Sequence, residues 1–306
     1  MRILVTGSKG VVGSWLMKKL IGHQVFGIDL FHADGEAGFI QKMGHDDTYA
    51  RCDISDYRQI ERIISKGFDL VYNCAAEFGR WNGEDFYEQL WKSNAIGFKN
   101  LLKLKEIYGF KLIHFSSSEV YGDFPGVMTE NVMDLFPIKQ MNDYAVSKWV
   151  NELQINNSGS KDIITVRLFN TYGPGEWYHP YRSVNCKFCY HALMGYPVTV
   201  YTGHLRTSTY IEDCVDALVL FADNFVPDIY NIAGSTLHSI EELVEIIWDY
   251  TGASRSLITF GTSEKSTTKR KTVDNSKIVA MGFNETVNLS TGIKNTLEWM
   301  TKYYNL

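Results

Sequence analysis

Through its first half the chain alternates short apolar runs with longer stretches whose apolar residues recur at helical spacing. Residues 2–5, 24–28, 49–53, 70–75, 111–115 and 163–168 are too short for stable helices and are bounded by polar or glycine-containing turns, so they are predicted strands. Between them, residues 12–21, 84–108 and 144–156 place apolar side chains at helical period; the long one stops at Gly109. Near-continuous apolar strands alternating with helices predict an α/β fold, a doubly wound parallel sheet of Rossmann type covered on both faces.

The pattern changes after Asn170. Gly173-Pro174-Gly175 interrupts the alternation, and aromatic and basic residues follow. Further on, Ser239 with Glu242 makes a capping box for a helix over 240–250, and residues 262–271 read as a polar, basic loop. No repeat or low-complexity linker divides the chain. The expected organisation is a cofactor domain over residues 1–170, its sheet completed by about 208–232. Residues 171–207 and 233–306 then form a smaller α/β substrate-binding domain.

Composition narrows the class. The 306 residues are 45% hydrophobic, enough for a large core, and a net charge of −5 offers no broad basic field, so nucleic acid is not an expected partner. No apolar run approaches the roughly 18 residues of a membrane span, and the apolar start is too short for a signal peptide. A cytoplasmic protein is expected. Cys186 and Cys189 form a CxxC pair without further ligands nearby; with scattered histidines they predict ordinary thiols and no metal site.

Candidate chemistry begins at the first turn. Gly7, Gly10 and Gly13 lie between the first strand and the first helix. That spacing allows a tight turn, close approach of backbone to a pyrophosphate, and close helix–strand packing, with helix amides aimed at the phosphates. Asp29 ends the second strand, where a carboxylate accepts from an adenosine ribose and repels a 2′-phosphate; this favours NAD over NADP, although Lys9 and His32 are basic groups nearby. Tyr144 and Lys148 stand at i and i+4 on one helical face, a geometry in which the ammonium lowers the phenol pKa and prepares a base. The fifth strand runs into Ser116-Ser117-Ser118-Glu119-Val120-Tyr121-Gly122, at the sheet edge where such folds bind ligands.

Together these residues resemble the extended short-chain dehydrogenase/reductase family of NAD-dependent nucleotide-sugar epimerases, dehydratases and decarboxylases. The likeness covers essentially the whole chain. It is carried also by Asp53-Ile54, Asn73-Cys74-Ala75-Ala76, Asn94, Arg167 through Pro174, Arg206 through Asp213, Tyr230-Asn231-Ile232 and Gly292-Ile293 with Trp299. The resemblance implies a catalytic set of Ser117, Tyr144 and Lys148. It implies a cofactor path along Gly7, Gly10, Val11, Val12 and Gly13, with Asp29 at the ribose, Asp53 and Ile54 flanking adenine, and Ala75, Ala76 and Asn94 lining the remainder. Asn170, Arg182 and Arg206 fall to the nucleotide-diphosphate sugar, a task for which the guanidinium fork is suited; an ion pair within the small domain is the other reading of Arg206. Cys74, in place of the usual aliphatic residue, and Glu77 after the alanines depart from the pattern.

Members of this family begin by transient oxidation at sugar C4. Glu119 then discriminates: an acidic residue there resembles the 4,6-dehydratases, in which it removes the C5 proton. Ser118-Glu119 looks most like the pair of GDP-mannose 4,6-dehydratases and departs from the Asp-Glu pair of dTDP-glucose 4,6-dehydratases, whose Asp is the acid for the leaving hydroxyl. The pair also resembles that of nucleotide-glucuronate decarboxylases. The expected order is therefore 4,6-dehydratase, then decarboxylase, then 4-epimerase, with an NAD-binding regulatory protein without turnover as the reading from a different class. The aromatic loops 78–83 and 175–182 either grip ligand or pack the domain seam. A homodimer is expected through the helices over 84–108 and 144–156, with Leu90, Phe98, Leu101, Val150 and Leu153 as apolar candidates.

Overall fold

The computed structural model describes residues 1–31, 48–262 and 264–306; His32 lies outside them. Six strands of the first half, β1 (Arg2–Thr6), β2 (Gln24–Asp29), β3 (Tyr49–Arg51), β4 (Leu70–Asn73), β5 (Lys111–Ser117) and β6 (Ile163–Leu168), join one parallel sheet. A seventh, Ile229–Ile232, pairs with β6, giving the order (229–232)-β6-β5-β4-β1-β2-β3. The central strands β1, β4, β5 and β6 are largely buried because both faces are covered, whereas β3 at the edge has no buried residue. In β1, Ile3 and Val5 enter the core beneath helix α1 (Val11–Lys19) and the helix Ile211–Asp223. Leu4 points the other way, toward α2 (Tyr57–Ile64) and Phe98–Tyr108. Strand order reverses on either side of β1, and the crevice at the carboxyl ends of β1 and β4 opens there.

Several elements differ from the sequence reading, and β5 runs to Ser117, two residues past the expected end. The third strand stops at Arg51, two residues short of the expected end, and the fourth at Asn73. Thr6 Oγ1 donates to Asn73 Oδ1 (2.8 Å) and accepts from the Ala75 amide (3.1 Å), so these side chains take over from the ladder. The single helix expected over 84–108 is instead Arg80–Asp85, Tyr87–Leu90, a π-helical stretch Trp91–Gly97, and Phe98–Tyr108. Phe86 breaks it with φ −128° and ψ 48°. In the π stretch Asn94 bonds the Glu77 backbone at both ends of its amide (2.8 and 3.1 Å). An extra residue in one turn changes helical phase without erasing the apolar period, so periodicity alone misses it.

The second half adds three small strand pairs: Thr171–Tyr172 with Thr209–Tyr210, Leu205–Thr207 with Leu237–Ser239, and Val198–Tyr201 with Ile258–Gly261. The capping box of Ser239 and Glu242 is present and starts the helix Ile240–Thr251.

A buried ion pair braces the sheet beside the site. Arg167 on β6 reaches Glu152 through Nη2 (2.6 Å) and Nε (3.0 Å), and Ser116 Oγ donates to the same carboxylate. Glu152→Ala leaves that guanidinium buried without its counter-charge, which costs about 3–5 kcal/mol. A clear fall in the urea midpoint at unchanged slope is expected; a midpoint like wild type would show that the pair is dispensable.

Candidate active site

Backbone contact enforces the glycine turn. Gly7 has φ +67°, and a Cβ on it would lie 2.7 Å from the Ala75 amide nitrogen. A Cβ on Gly13 would meet the Gly7 carbonyl at 2.2 Å, so the helix can approach the strand only with hydrogen there. Gly10 caps α1 without any side chain over the helix end. The first amides of α1 and its partial positive charge therefore face the cavity, which Gly7, Gly10, Val11, Val12 and Gly13 line. This bare cradle fits a dinucleotide pyrophosphate. Asp29 sits beside the turn, its Oδ2 accepting from the Lys9 amide (2.9 Å) and its Oδ1 from Leu30 (2.7 Å). Each carboxylate oxygen keeps a lone pair for a ribose hydroxyl.

The cavity, of about 430 Å³, runs from that cradle to the second half of the chain. Ser117 ends β5 and begins a short 3₁₀ turn, Ser118–Tyr121, with its hydroxyl accepting from the Glu119 amide (3.2 Å). Tyr144 and Lys148 come from the helix Asp143–Ser158, started by Asn142, whose Oδ1 accepts from the Ala145 amide at 2.8 Å. Ser117 and Tyr144 line the cavity together, and Lys148 Nζ donates to the Phe115 carbonyl (2.8 Å), 5.8 Å from the Tyr144 ring centre. Burial is the largest influence on the phenol and pushes Tyr144 up to about 12, eased by Ser117 and raised again by Glu119. This corrects the expectation that Lys148 brings the phenol down in the protein by itself. Burial also lowers Lys148 to about 8, with the Cys74 thiol opposing.

Glu119 is the most strongly engaged carboxylate of the cavity. Burial raises its pKa, but Lys271, Arg80 and Arg206 outweigh it and hold the group at about 2, ionised. Lys271 Nζ contacts Glu119 Oε1 at 2.5 Å and Ser118 Oγ at 2.9 Å. Arg206 makes no ion pair among the described residues. Its Nη1 donates to the carbonyls of Leu205 (2.8 Å) and Lys269 (3.2 Å), and its Nη2 to Thr267 Oγ1 (3.1 Å). Arg182 lies 4.0 Å over Phe78 and 4.4 Å over Trp177, with its buried Nε unpartnered among the described residues. Asn170, at φ 39°, donates to the Thr207 carbonyl (2.9 Å).

One cavity thus collects Ser117, Ser118, Glu119, Tyr144 and Lys148 with Asn170, Arg182, Arg206 and Ala76. Asp29, Asp53, Ile54, Ala75 and Asn94 do not line it. Asp53 holds Ser55 through its amide and hydroxyl (2.8 and 2.7 Å), Ile54 packs on Gly97, and Asn94 anchors the Glu77 loop. The sequence reading missed Lys271 and Glu264 as cavity residues. Both lay in a segment whose polar, basic composition signals only a loop. Arg80 pairs with Glu264 (3.0 Å), tying the helix Arg80–Asp85 to that segment beside the cavity, which both residues line.

A glycine cradle, an apposed carboxylate and a Ser-Tyr-Lys cluster on a seven-stranded parallel sheet define a dinucleotide-dependent enzyme of the short-chain dehydrogenase/reductase type. Residues 3–233 match the model of the NAD dependent epimerase/dehydratase family. The chain belongs to that family, and NAD is its cofactor. It is 27% identical to UDP-glucuronic acid decarboxylase 1 of Xenopus tropicalis over 98% of this chain and 72% of the relative. It is 28% identical to a dTDP-glucose 4,6-dehydratase of an Actinoplanes species, over 98% of this chain and 97% of the relative. The UDP-glucuronic acid 4-epimerase of Bacillus cereus, solved with UDP-glucuronic acid and NAD, superposes with a TM-score of 0.85 at 25% identity, covering 99% of this chain and 100% of that one.

If Asp29 holds the adenosine ribose, Asp29→Ala removes charge-assisted hydrogen bonds worth about 1.5–3 kcal/mol, or ~10- to 100-fold in NAD affinity. Calorimetric titration should show this loss for NAD and a narrowed preference over NADP. A wild-type protein that prefers NADP would overturn the assignment.

Proposed function

We propose that this protein is an NAD-dependent nucleotide-sugar 4,6-dehydratase. The observation that carries the reading is Glu119, half-buried and ionised in the cavity that holds Ser117, Tyr144 and Lys148. Bound oxidised NAD supplies a hydride acceptor and the positive ring charge that favours phenolate nearby. Tyr144 takes the proton of the sugar C4 hydroxyl while Ser117 hydrogen-bonds the same oxygen, and hydride leaves C4. The resulting ketone acidifies C5. Glu119 takes the C5 proton, the C6 hydroxyl departs as water, and Glu119 returns its proton to C5 as hydride is delivered to C6. Arg206, Arg182 and Asn170 hold the diphosphate end, where the cations of the cavity match the phosphate charge.

A decarboxylase is the second reading, favoured by the cations Lys271, Arg206 and Arg80 around the Glu119 position and by relatives named for that activity. It ranks lower because loss of carbon dioxide from a β-keto acid breaks the C5–C6 bond and needs no base to take a C5 proton, which leaves Glu119 without a chemical task. A 4-epimerase has no need of Glu119. A protein that binds NAD without turnover has no need of Ser117, Tyr144 and Lys148 together.

Dimerisation is part of the same proposal, on revised residues. Leu90, Phe98 and Leu101 are buried in their own chain, and Val150 is half-buried. Leu153, Phe86, Tyr87, Ile96, Ile107 and Tyr108 are the exposed large apolar side chains of these helical segments. Light scattering at micromolar concentration should report a dimer; a monomer would remove this part of the proposal.

Glu119→Gln keeps shape and removes basicity. Oxidation at C4 should persist, so reduced-nicotinamide absorbance accumulates, while product release falls by about 10²–10⁴-fold. Tyr144→Phe should show no reduced cofactor at all. Product mass separates the chemistries: loss of water, loss of carbon dioxide, or no change. A Glu119→Gln enzyme with near wild-type turnover would favour the epimerase.

A further inference from the structure

Elimination needs an acid as well as a base. Hydroxide is a poor leaving group, and Glu119, being ionised, has no proton to give. Its neighbour Ser118 offers only an aliphatic hydroxyl, which is not acidic enough. Glu176, a second buried carboxyl of the cavity, is committed elsewhere: Oε1 accepts from the Ser183 amide (3.3 Å) and Oε2 from its hydroxyl (3.0 Å).

Lys271 is left. Its side chain is 2% exposed, and its ammonium touches both Glu119 and Ser118. An ammonium has three donors, and the third has no hydrogen-bond acceptor among the described residues. The backbone holds the residue firmly. Its amide donates to Leu205 (3.1 Å), its carbonyl accepts from Thr207 Oγ1 (2.9 Å), and neighbouring Thr268 donates to Gly122 (2.7 Å). Burial and the charges of Arg206 and Arg80 lower its pKa against the pull of Glu119, easing release of a proton. A buried cation whose only ion-pair partner among the described residues is a half-buried carboxylate is poor evidence for a stabilising role, since an apolar pair often serves stability as well.

We propose that Lys271 is the general acid that protonates the departing C6 oxygen. The proposal rests on the dehydratase reading. As Glu119 takes the C5 proton, the C5–H electron pair forms the C5=C6 bond. The C6–O pair leaves on oxygen, which takes a proton from Lys271 Nζ and departs as water. The ion pair becomes a neutral amine beside a neutral carboxyl, so buried charge is conserved. Loss of the ammonium also removes what holds the Glu119 pKa down, so Glu119 gains basicity as it must accept a proton. Protonation of C5 restores the carboxylate. The proton that Tyr144 took from the C4 hydroxyl balances the one that Lys271 gave to water.

The test uses a leaving group that needs no proton. Wild-type enzyme is assayed with UDP-glucose, dTDP-glucose, CDP-glucose and GDP-mannose, then with the 6-deoxy-6-fluoro analogue of whichever loses water. Lys271→Met should reduce kcat on the hydroxyl substrate by about 10²–10⁴-fold, with reduced nicotinamide accumulating. On the fluoro analogue it should stay within about tenfold of wild type, because fluoride departs unprotonated. Lys271→Arg keeps the cation and the packing but cannot give up a proton. It should bind NAD as wild type does and show the same selective loss, which covers a Met variant that fails to fold. Equal slowing of both substrates, a rise in KM shared by both, or unimpaired dehydration in either variant would overturn the role of Lys271 alone. Wild-type enzyme that releases water from none of the four sugars would overturn the dehydratase reading itself.

Discussion

The Arg167 guanidinium is the constraint on which the geometry of the cavity depends. It is 1% exposed and binds Glu152 on the helix that carries Tyr144 and Lys148. It also binds the Tyr121 hydroxyl (2.8 Å) in the turn that carries Ser118 and Glu119, and the Glu130 carbonyl (2.8 Å). Tyr121 passes the connection to Asn231 on the last strand (2.7 Å), and Ser116 closes it from β5. One buried charge thus joins three strands, a helix and a turn that each contribute to the site or support it. Such a network is costly to break and leaves little freedom in the distance between Ser117 and Tyr144.

Burial and charge act against each other across the cavity. The apolar surroundings that raise Tyr144 and lower Lys148 would also keep Glu119 protonated, were it alone. Three nearby cations reverse that for Glu119 only. The site therefore holds two candidate bases in opposite resting states, a protonated phenol and an ionised carboxylate. Arg206 belongs both to this group and to the residues proposed for the diphosphate.

The two halves of the cavity are rigid in different ways. At the cofactor end, Gly7 and Gly13 leave no room for a Cβ, and packing of backbone on backbone fixes the turn. At the sugar end, loops and a short helix are stitched together by side chains: Arg80 with Glu264, Lys269 through its amide to Asp123 (2.9 Å), and Lys271 with Glu119. Contacts of this kind tolerate substitution of one loop by another, which suits a fold whose members differ mainly in the chemistry that comes after C4 oxidation.

Family resemblance pointed to Ser117; the sequence by itself determined the parallel sheet, the glycine cradle and the Tyr144–Lys148 pair. These rest on local rules: apolar period, a strand–turn–helix junction, and i, i+4 spacing on one helix face. Asp29 was legible for the same reason, as the end of a short apolar run. Tertiary structure decided the rest. The π turn around Asn94 depends on a bond to a loop 17 residues away, and no period records it. Whether Leu90 and Phe98 face their own core or solvent depends on which neighbours pack beside them. Above all, Lys271 is separated from Glu119 by 152 residues and sits in a segment with the composition of a solvated loop. Only the folded chain removes it from water, and that desolvation makes its proton available and gives its charge a hold on Glu119.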